Sequence, residues 1–138
     1  MTATAVRICT ASSCRSRGSE AIRNRLEPVA ANSGGQVRVV GVGCLGPCSD
    51  GPLLAIGERL FSLENSEPEL LARSLQQAVE QRRAQAWRPA SASLIPADDP
   101  FLRLQRRLVL ERCGVIDPES IEAAMAHGSY QQLHRVLS

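Results

Sequence analysis

Two pairs of cysteines constrain this 138-residue chain more than any other feature, because each pair follows directly on a short apolar run. The pairs are Cys9 with Cys14, which have four residues between them, and Cys44 with Cys48, which have three. The preceding runs, residues 5–8 and 36–42, are rich in β-branched residues and are therefore predicted strands. If these strands are parallel neighbours, their loops emerge at the same edge of a sheet, and the four thiols converge there.

The remaining patterns complete an α/β unit of order β-α-β-β-β-α over residues 4–86. Apolar residues at helical spacing indicate two helices, and a glycine between two short apolar runs indicates a hairpin. The predicted elements beyond the two strands are a helix at 18–35, a hairpin at 52–63 and a helix at 66–85. Ser19 and Ser66 are the expected N-caps, and Pro28 is expected to kink the first helix or to end it early.

Beyond this unit the composition changes twice. Residues 87–100 are rich in proline, alanine and serine, and we expect them to be a linker. Residues 101–138 form a short all-helical segment, with helices predicted at 100–114, 117–128 and 129–137. Three short helices have little core of their own, so this segment is expected to need a partner surface.

Four thiolates at one place are typical ligands of a [2Fe–2S] cluster, which is the chemistry that the residues favour. Structural zinc sites with four cysteines usually have two residues between paired ligands, and neither pair here has that spacing. Zinc, a disulfide and free thiols nevertheless stay open as alternatives. The N-terminus lacks the apolar run of a secretory signal, so a reducing cytoplasm is the expected compartment, where clustered cysteines more often bind metals than form disulfides.

Residues around the cysteines are predicted to support such a cluster. Gly43 and Gly46 are expected to let backbone N–H groups approach the cluster sulfurs. Arg15 and Arg17 follow Cys14 directly and are placed to offset the negative charge of the thiolates, although solvated loop residues are an equally good interpretation of both arginines.

Other residue types that often carry chemistry are predicted to be structural here. Cys113 stands apart from the two pairs and is expected to be a half-buried thiol. His127 and His134 lie on polar faces of predicted helices, and Trp87 is expected to pack or to lie at the surface.

Aromatic residues make up only 3% of the chain and the net charge is only +2, so nucleic-acid binding has little support. No run approaches the roughly 18 apolar residues that cross a bilayer, so membrane insertion is not expected.

The two cysteine motifs resemble a known family. CTASSC at residues 9–14 and GVGCLGPCSDGP at residues 41–52 are similar to the thioredoxin-like [2Fe–2S] ferredoxin domain of the small flavoprotein-associated subunit of respiratory complex I. The resemblance covers residues 4–86 and implies a thioredoxin-like fold with one [2Fe–2S] cluster. It implies four cluster ligands, which are Cys9, Cys14, Cys44 and Cys48. The stretch between the pairs is shorter than expected for complex I itself.

The tail sequence FLRLQRRLVLERCGVIDPESIEAAMAHGSYQQLHRVL, residues 101–137, is similar to the N-terminal helical segment of the NADH- and FMN-binding subunit of complex I. A ferredoxin-like domain ahead of that segment resembles the diaphorase flavoprotein subunit of bidirectional, NAD-reducing [NiFe] hydrogenases. NAD-dependent formate dehydrogenases have related subunits. The resemblance implies an electron-transfer module whose partners are the FMN/NADH-binding domain and other iron–sulfur subunits.

In those proteins the FMN and NAD sites follow this segment, and this chain has no G-x-G-x-x-G sequence opening a helix. We therefore expect the chain to be a fragment of a larger subunit that does not oxidise NADH by itself. Its expected location is cytoplasmic, with any membrane attachment made through the parent complex. Two other functions remain compatible with the residues: a docking module that holds zinc or no metal, and a stand-alone ferredoxin that forms homodimers.

Overall fold

A five-stranded sheet forms the centre of the structure, a computed structural model that describes residues 3–138. Its strands are β1 (Thr4–Cys9), β2 (Val37–Val42), β3 (Leu53–Ile56), β4 (Arg59–Ser62) and β5 (Ser93–Ile95). They lie side by side in the order β2-β1-β3-β4-β5. The pair β1 and β2 is parallel, as predicted, and the pairs β1–β3, β3–β4 and β4–β5 are antiparallel.

Six α-helices accompany the sheet. They are α1 (Ser12–Ser16), α2 (Ser19–Ala31), α3 (Pro68–Glu80), α4 (Pro100–Arg103), α5 (Ile121–Ala126) and α6 (Gln131–Leu137). The two long helices, α2 and α3, contact each other, and their apolar sides pack with the sheet residues in the main core. No helix among residues 3–138 has the length and apolar character to span a lipid bilayer.

The main core lies between the sheet and the two long helices. Alternate residues of the strands, such as Val6 and Ile8 in β1, pack there with Leu26 of α2 and Leu75 of α3. All four of these side chains are fully buried, and burial of each contributes about 1.5–3 kcal/mol to folding. Cys9, Cys14 and Leu53 belong to a second, smaller cluster, so the first cysteine pair lies in a core of its own.

The N-caps of the two long helices differ from the prediction, and both helices end earlier than predicted, at Ala31 and Glu80. Gly18, at a φ of 92°, takes the N-cap position of α2, so the helix begins with Ser19 itself. Glu67 is the cap of α3, because the hydroxyl of Ser66 instead donates to the carbonyl of Ala90 at 3.1 Å. Pro28 lies within the last turn of α2, and the helix continues to Ala31.

The segment predicted as a linker contains a strand. Residues 93–95 form β5, which pairs antiparallel with β4 and extends the sheet by one strand. Trp87, where this segment begins, is buried at 4% exposure and donates its indole N–H to the hydroxyl of Ser74 at 3.1 Å. The segment is therefore attached to the α/β unit at both α3 and β4.

The helix predicted over residues 100–114 is wrong beyond its first turn. Helix α4 ends at Arg103, and residues 104–114 form turns and irregular structure. The apolar side chains that gave the helical pattern, Leu104 and Leu108, are 79% and 70% exposed. A short helix gains most of its stability from packing of its apolar face, and this face has no packing surface among the described residues.

Candidate metal centre

The parallel pairing of β1 with β2 brings the two cysteine loops together. Cys9, the last residue of β1, lies opposite Val42, the last residue of β2. Beyond this point the backbone N–H and the hydroxyl of Thr10 both donate to the carbonyl of Val42, at 2.8 and 3.0 Å. The chain therefore leaves both strands at one edge of the sheet, with Cys44 two residues beyond the pairing.

The thiols lie at that edge as two pairs with different exposure. Cys9 and Cys14 are buried at 1% and 0% exposure, and Cys14 is held on the short helix α1. Cys44 is half-buried and Cys48 is exposed at the start of a 3-10 turn, residues 48–50. Their sulfur atoms are 3.5 Å apart. One pair thus lies inside the protein and the other lies at its surface.

Hydrogen bonding within the buried pair separates the acidities of its two thiols. The pKa of Cys9 is lowered to about 6, chiefly because Cys14 donates a hydrogen bond to it and also because backbone groups of Leu45 and Ala11 stabilise its thiolate. The pKa of Cys14 is raised, because it keeps the shared proton and because it is buried. The opposite directions of the two pKa shifts favour one thiolate, on Cys9, and one thiol, on Cys14.

In the surface pair, the hydrogen bond to Cys44 raises the pKa of Cys48, and so does the negative charge of Cys9. Such a charge interaction across the two loops places the sulfurs of both pairs in one electrostatic site. Backbone contacts agree with this: Leu45, from the second loop, hydrogen-bonds Cys9 of the first. The two cysteine loops thus lie at the same edge of the sheet, and the assignment of Cys9, Cys14, Cys44 and Cys48 as ligands of one cluster stays a prediction.

Side chains from the first loop also fasten the second. The hydroxyl of Ser13 donates to the carbonyl of Cys48 at 3.3 Å. The guanidinium of Arg17 donates to the carbonyls of Ser49 and Gly51, at 2.6 and 3.2 Å. Arg15, by contrast, forms exposed ion pairs with acidic side chains. Of the two arginines predicted to offset cluster charge, Arg17 therefore holds loop backbone and Arg15 lies at the surface.

The two cysteine pairs together supply four thiols as a donor set. Four thiolates can bind one zinc ion, or a [2Fe–2S] cluster in which two irons joined by sulfide each take two thiolates. Among residues 3–138, no three His, Cys, Asp or Glu side chains are arranged to hold one metal ion.

Backbone around the thiols differs in detail from the prediction. Gly46 has a φ of 127°, and its carbonyl lies 4.0 Å from the sulfur of Cys44, whereas Gly43 lies against Cys113. The closest approach of a glycine to a cluster cysteine is at Gly51, where an added Cβ would lie 3.0 Å from the sulfur of Cys14. The assignment of Gly43 and Gly46 as cluster neighbours stays a prediction.

The backbone groups that do hydrogen-bond the thiols belong to Ala11, Leu45 and Leu53. Sequence analysis did not identify them, because every residue except proline has an N–H group and only the loop conformation aims it.

The residues predicted to be structural are packed against neighbouring backbone or lie at the surface. Cys113 is half-buried and its sulfur lies against Gly43, where an added Cβ would be 3.3 Å away. His127 and His134 are exposed, and each has its Nδ1 in a hydrogen bond within or beside its own helix. Sequence reasoning missed Arg107, which reaches the second cysteine loop from the tail.

Comparison with known families gives one match. A family described as "Thioredoxin-like [2Fe-2S] ferredoxin" matches residues 1–78, which is more than half of the chain. That range contains the four converging cysteines and ends within α3, so it does not include the tail. A comparison with curated proteins finds no match.

Proposed function

Because the chain belongs to the thioredoxin-like [2Fe–2S] ferredoxin family, we propose that it carries single electrons within an NAD(H)-linked diaphorase. Membership of the family implies a [2Fe–2S] cluster and an iron–sulfur electron-transfer module. The observation that supports the assignment is that parallel strands β1 and β2 end at one edge of the sheet, where a cysteine pair follows each strand. The proposal goes beyond the family in one respect, which is that the electron carrier belongs to a diaphorase.

The residues present fit the cluster that the family implies. The four thiolates would hold it, one pair for each iron, and the bound cluster would accept and release one electron at a time. The lowered pKa of Cys9 favours its thiolate, whereas the raised pKa values of Cys14 and Cys48 mean that these thiols would lose protons when metal binds. Backbone hydrogen bonds to Cys9 and Cys14 stabilise negative charge on sulfur.

The unequal exposure of the pairs suits electron exchange with a partner. Burial of Cys9 and Cys14 keeps water from the inner side of the site. Exposure of Cys48 brings the outer side to the protein surface, where a partner's redox group can approach. The chain itself therefore contributes ligation, burial and hydrogen bonds, and the redox chemistry belongs to the cluster.

The tail supports the diaphorase part of the proposal. Its sequence resembles the segment that precedes the FMN- and NADH-binding domain in diaphorase subunits. Several of its large apolar side chains have no cover among the described residues, including Val109 at 96% and Val136 at 82% exposure. Exposed apolar side chains at this density are typical of a protein interface. The partner that fits both observations is an FMN/NADH-binding domain, together with further iron–sulfur subunits.

Two reductants test the electron-carrier role and the diaphorase context separately. In the reconstituted chain, dithionite should bleach the visible absorption of the cluster, and NADH alone should not. NADH added with a purified FMN-containing NADH dehydrogenase flavoprotein subunit should bleach it. Bleaching by dithionite but not by NADH and flavoprotein together would contradict the diaphorase part alone. NADH–ferricyanide activity in the chain without added subunits would contradict the role of a carrier that has no catalysis of its own.

A further inference from the structure

Arg107 connects the tail to the second cysteine loop. Its guanidinium donates to the carbonyl of Cys44 at 3.1 Å and to the carbonyl of Leu45 at 2.7 Å. A third, longer hydrogen bond of 3.5 Å reaches the carbonyl of Cys113 within the tail. Arg107 is half-buried while its neighbour Arg106 is exposed. One side chain thus binds two successive backbone carbonyls of the loop that begins with a predicted cluster ligand.

The rest of the segment 107–114 lies on the same loop. The sulfur of Cys113 lies against Gly43, and Gly114 lies so close to Leu45 that an added Cβ would be 2.8 Å from its side chain. Arg7, from β1, holds the end of this segment by donating to the carbonyl of Gly114 at 2.9 Å. Contacts at both ends therefore fix the segment over the backbone of the second cysteine loop.

We propose that Arg107 is a positioning residue for the Cys44–Leu45 backbone and that its charge raises the reduction potential of the cluster. The proposal rests on the cluster assigned above. Reduction adds one negative charge to the cluster, and a nearby fixed cation stabilises the reduced form more than the oxidised form. A guanidinium stays charged at every working pH and its planar fork can hold two carbonyls at once.

The experiment compares three variants of the full chain with the unchanged protein. Arg107→Gln removes both charge and fork, Arg107→Lys keeps the charge, and Arg106→Gln removes an equal charge from the exposed neighbouring position. The reduction potential of the reconstituted proteins is measured by redox titration. Hydrogen–deuterium exchange of the peptide that covers residues 41–48 is measured in the metal-free proteins, so this second readout does not depend on a cluster.

Arg107→Gln should lower the ratio of reduced to oxidised cluster at fixed potential by about tenfold, which corresponds to about 59 mV for one electron. Arg106→Gln should change that ratio by less than about twofold, because exposed charges are screened. Arg107→Lys should have a reduction potential close to that of the unchanged protein, because it keeps the charge. Both Arg107 variants should speed amide exchange in the loop several-fold, and Arg106→Gln should not.

A potential for Arg107→Gln equal to that for Arg106→Gln would overturn the proposed influence on the cluster. Unchanged exchange in both Arg107 variants would overturn the positioning role. If the unchanged chain binds no iron, the proposed function fails, and the exchange measurement still decides whether Arg107 positions the loop.

Discussion

The four converging cysteines have different surroundings, although the family implies one shared role for them. Cys9 and Cys14 share a proton inside the protein, while Cys48 is exposed and lies 3.5 Å from Cys44, measured between their sulfurs. These differences make the consequences of substitution different at each position. Substitution of the exposed Cys48 is the better test of whether the cysteines bind metal, because it leaves the core packing intact.

Cys48→Ala is expected to abolish cluster binding and to leave the fold unchanged. Iron should fall from about two atoms per chain to near zero, because one iron loses half of its thiolates. Cys113→Ala is the matched control and should retain its iron, because Cys113 lies with the tail on Gly43 and outside the two pairs. Iron analysis and far-UV circular dichroism check both variants, and a Cys48→Ala protein with full iron content would show that Cys48 is not a ligand.

The metal-free chain should become more stable as the pH rises from about 6 to about 9. Cys9 loses its proton near pH 6 in the folded chain and near its ordinary value of 9.0 in the unfolded chain, so the unfolded chain holds the extra proton in this window. One proton of difference raises the free energy of unfolding by about 1.4 kcal/mol per pH unit. Above this window the contribution reverses, because the raised pKa of Cys14 keeps a proton on the folded chain.

Urea denaturation under reducing conditions at about pH 6.5, 7.5 and 8.5 measures this dependence. Cys14→Ala is the control, because it removes the hydrogen-bond donor that contributes most to the lowered pKa of Cys9. The difference in unfolding free energy between the unchanged chain and this variant should grow with pH. Parallel pH profiles for the two proteins would show that the shared proton is not the cause.

At the scale of elements, strands β1 to β4 and the two long helices were predictable because each has its own local signal. Alternating β-branched residues predict β1 and β2, the glycine at 57 predicts the hairpin, and apolar spacing predicts α2 and α3. The convergence of the cysteines was predictable for the same reason, since it needs only two parallel strands.

Features that depend on tertiary contacts were not predictable. Residues 104–114 have a helical pattern, but Arg107 and Gly114 dock on the cysteine loop in an irregular conformation. Strand β5 has only three residues and forms because β4 offers a free edge. The backbone group of Leu45 is aimed at the thiols by a loop conformation and that of Leu53 by the position of β3, and no residue type is diagnostic of either.

The attachment of the 87–95 segment to α3 should depend on the hydrogen bond between Trp87 and Ser74. Ser74→Ala leaves the buried indole N–H without its partner and should lower the free energy of unfolding by about 1 kcal/mol. In Trp87→Phe the N–H is absent, so adding Ser74→Ala should cost less. A double-mutant cycle of urea denaturations measures the coupling, and a coupling energy near zero would mean that this hydrogen bond adds no stability.

For the whole molecule, the fold places one half of the candidate site inside a core and the other half at the surface beside the tail. The tail holds the second cysteine loop through Arg107 and exposes apolar side chains such as Val109 on its other sides. A partner that covers these side chains would therefore lie next to the exposed Cys48 loop if the tail moves little on binding. If the proposed function is right, partner binding and electron exchange would take place next to each other on the surface.

The central claim is that the four converging cysteines hold a [2Fe–2S] cluster. Metal and sulfide analysis combined with an EPR spectrum of the dithionite-reduced full chain tests it most directly. The account predicts a coloured protein with about two iron atoms and about two sulfides per chain, and one EPR signal from a cluster reduced by a single electron. A colourless protein that contains zinc, has no sulfide and gives no EPR signal after reduction would contradict it.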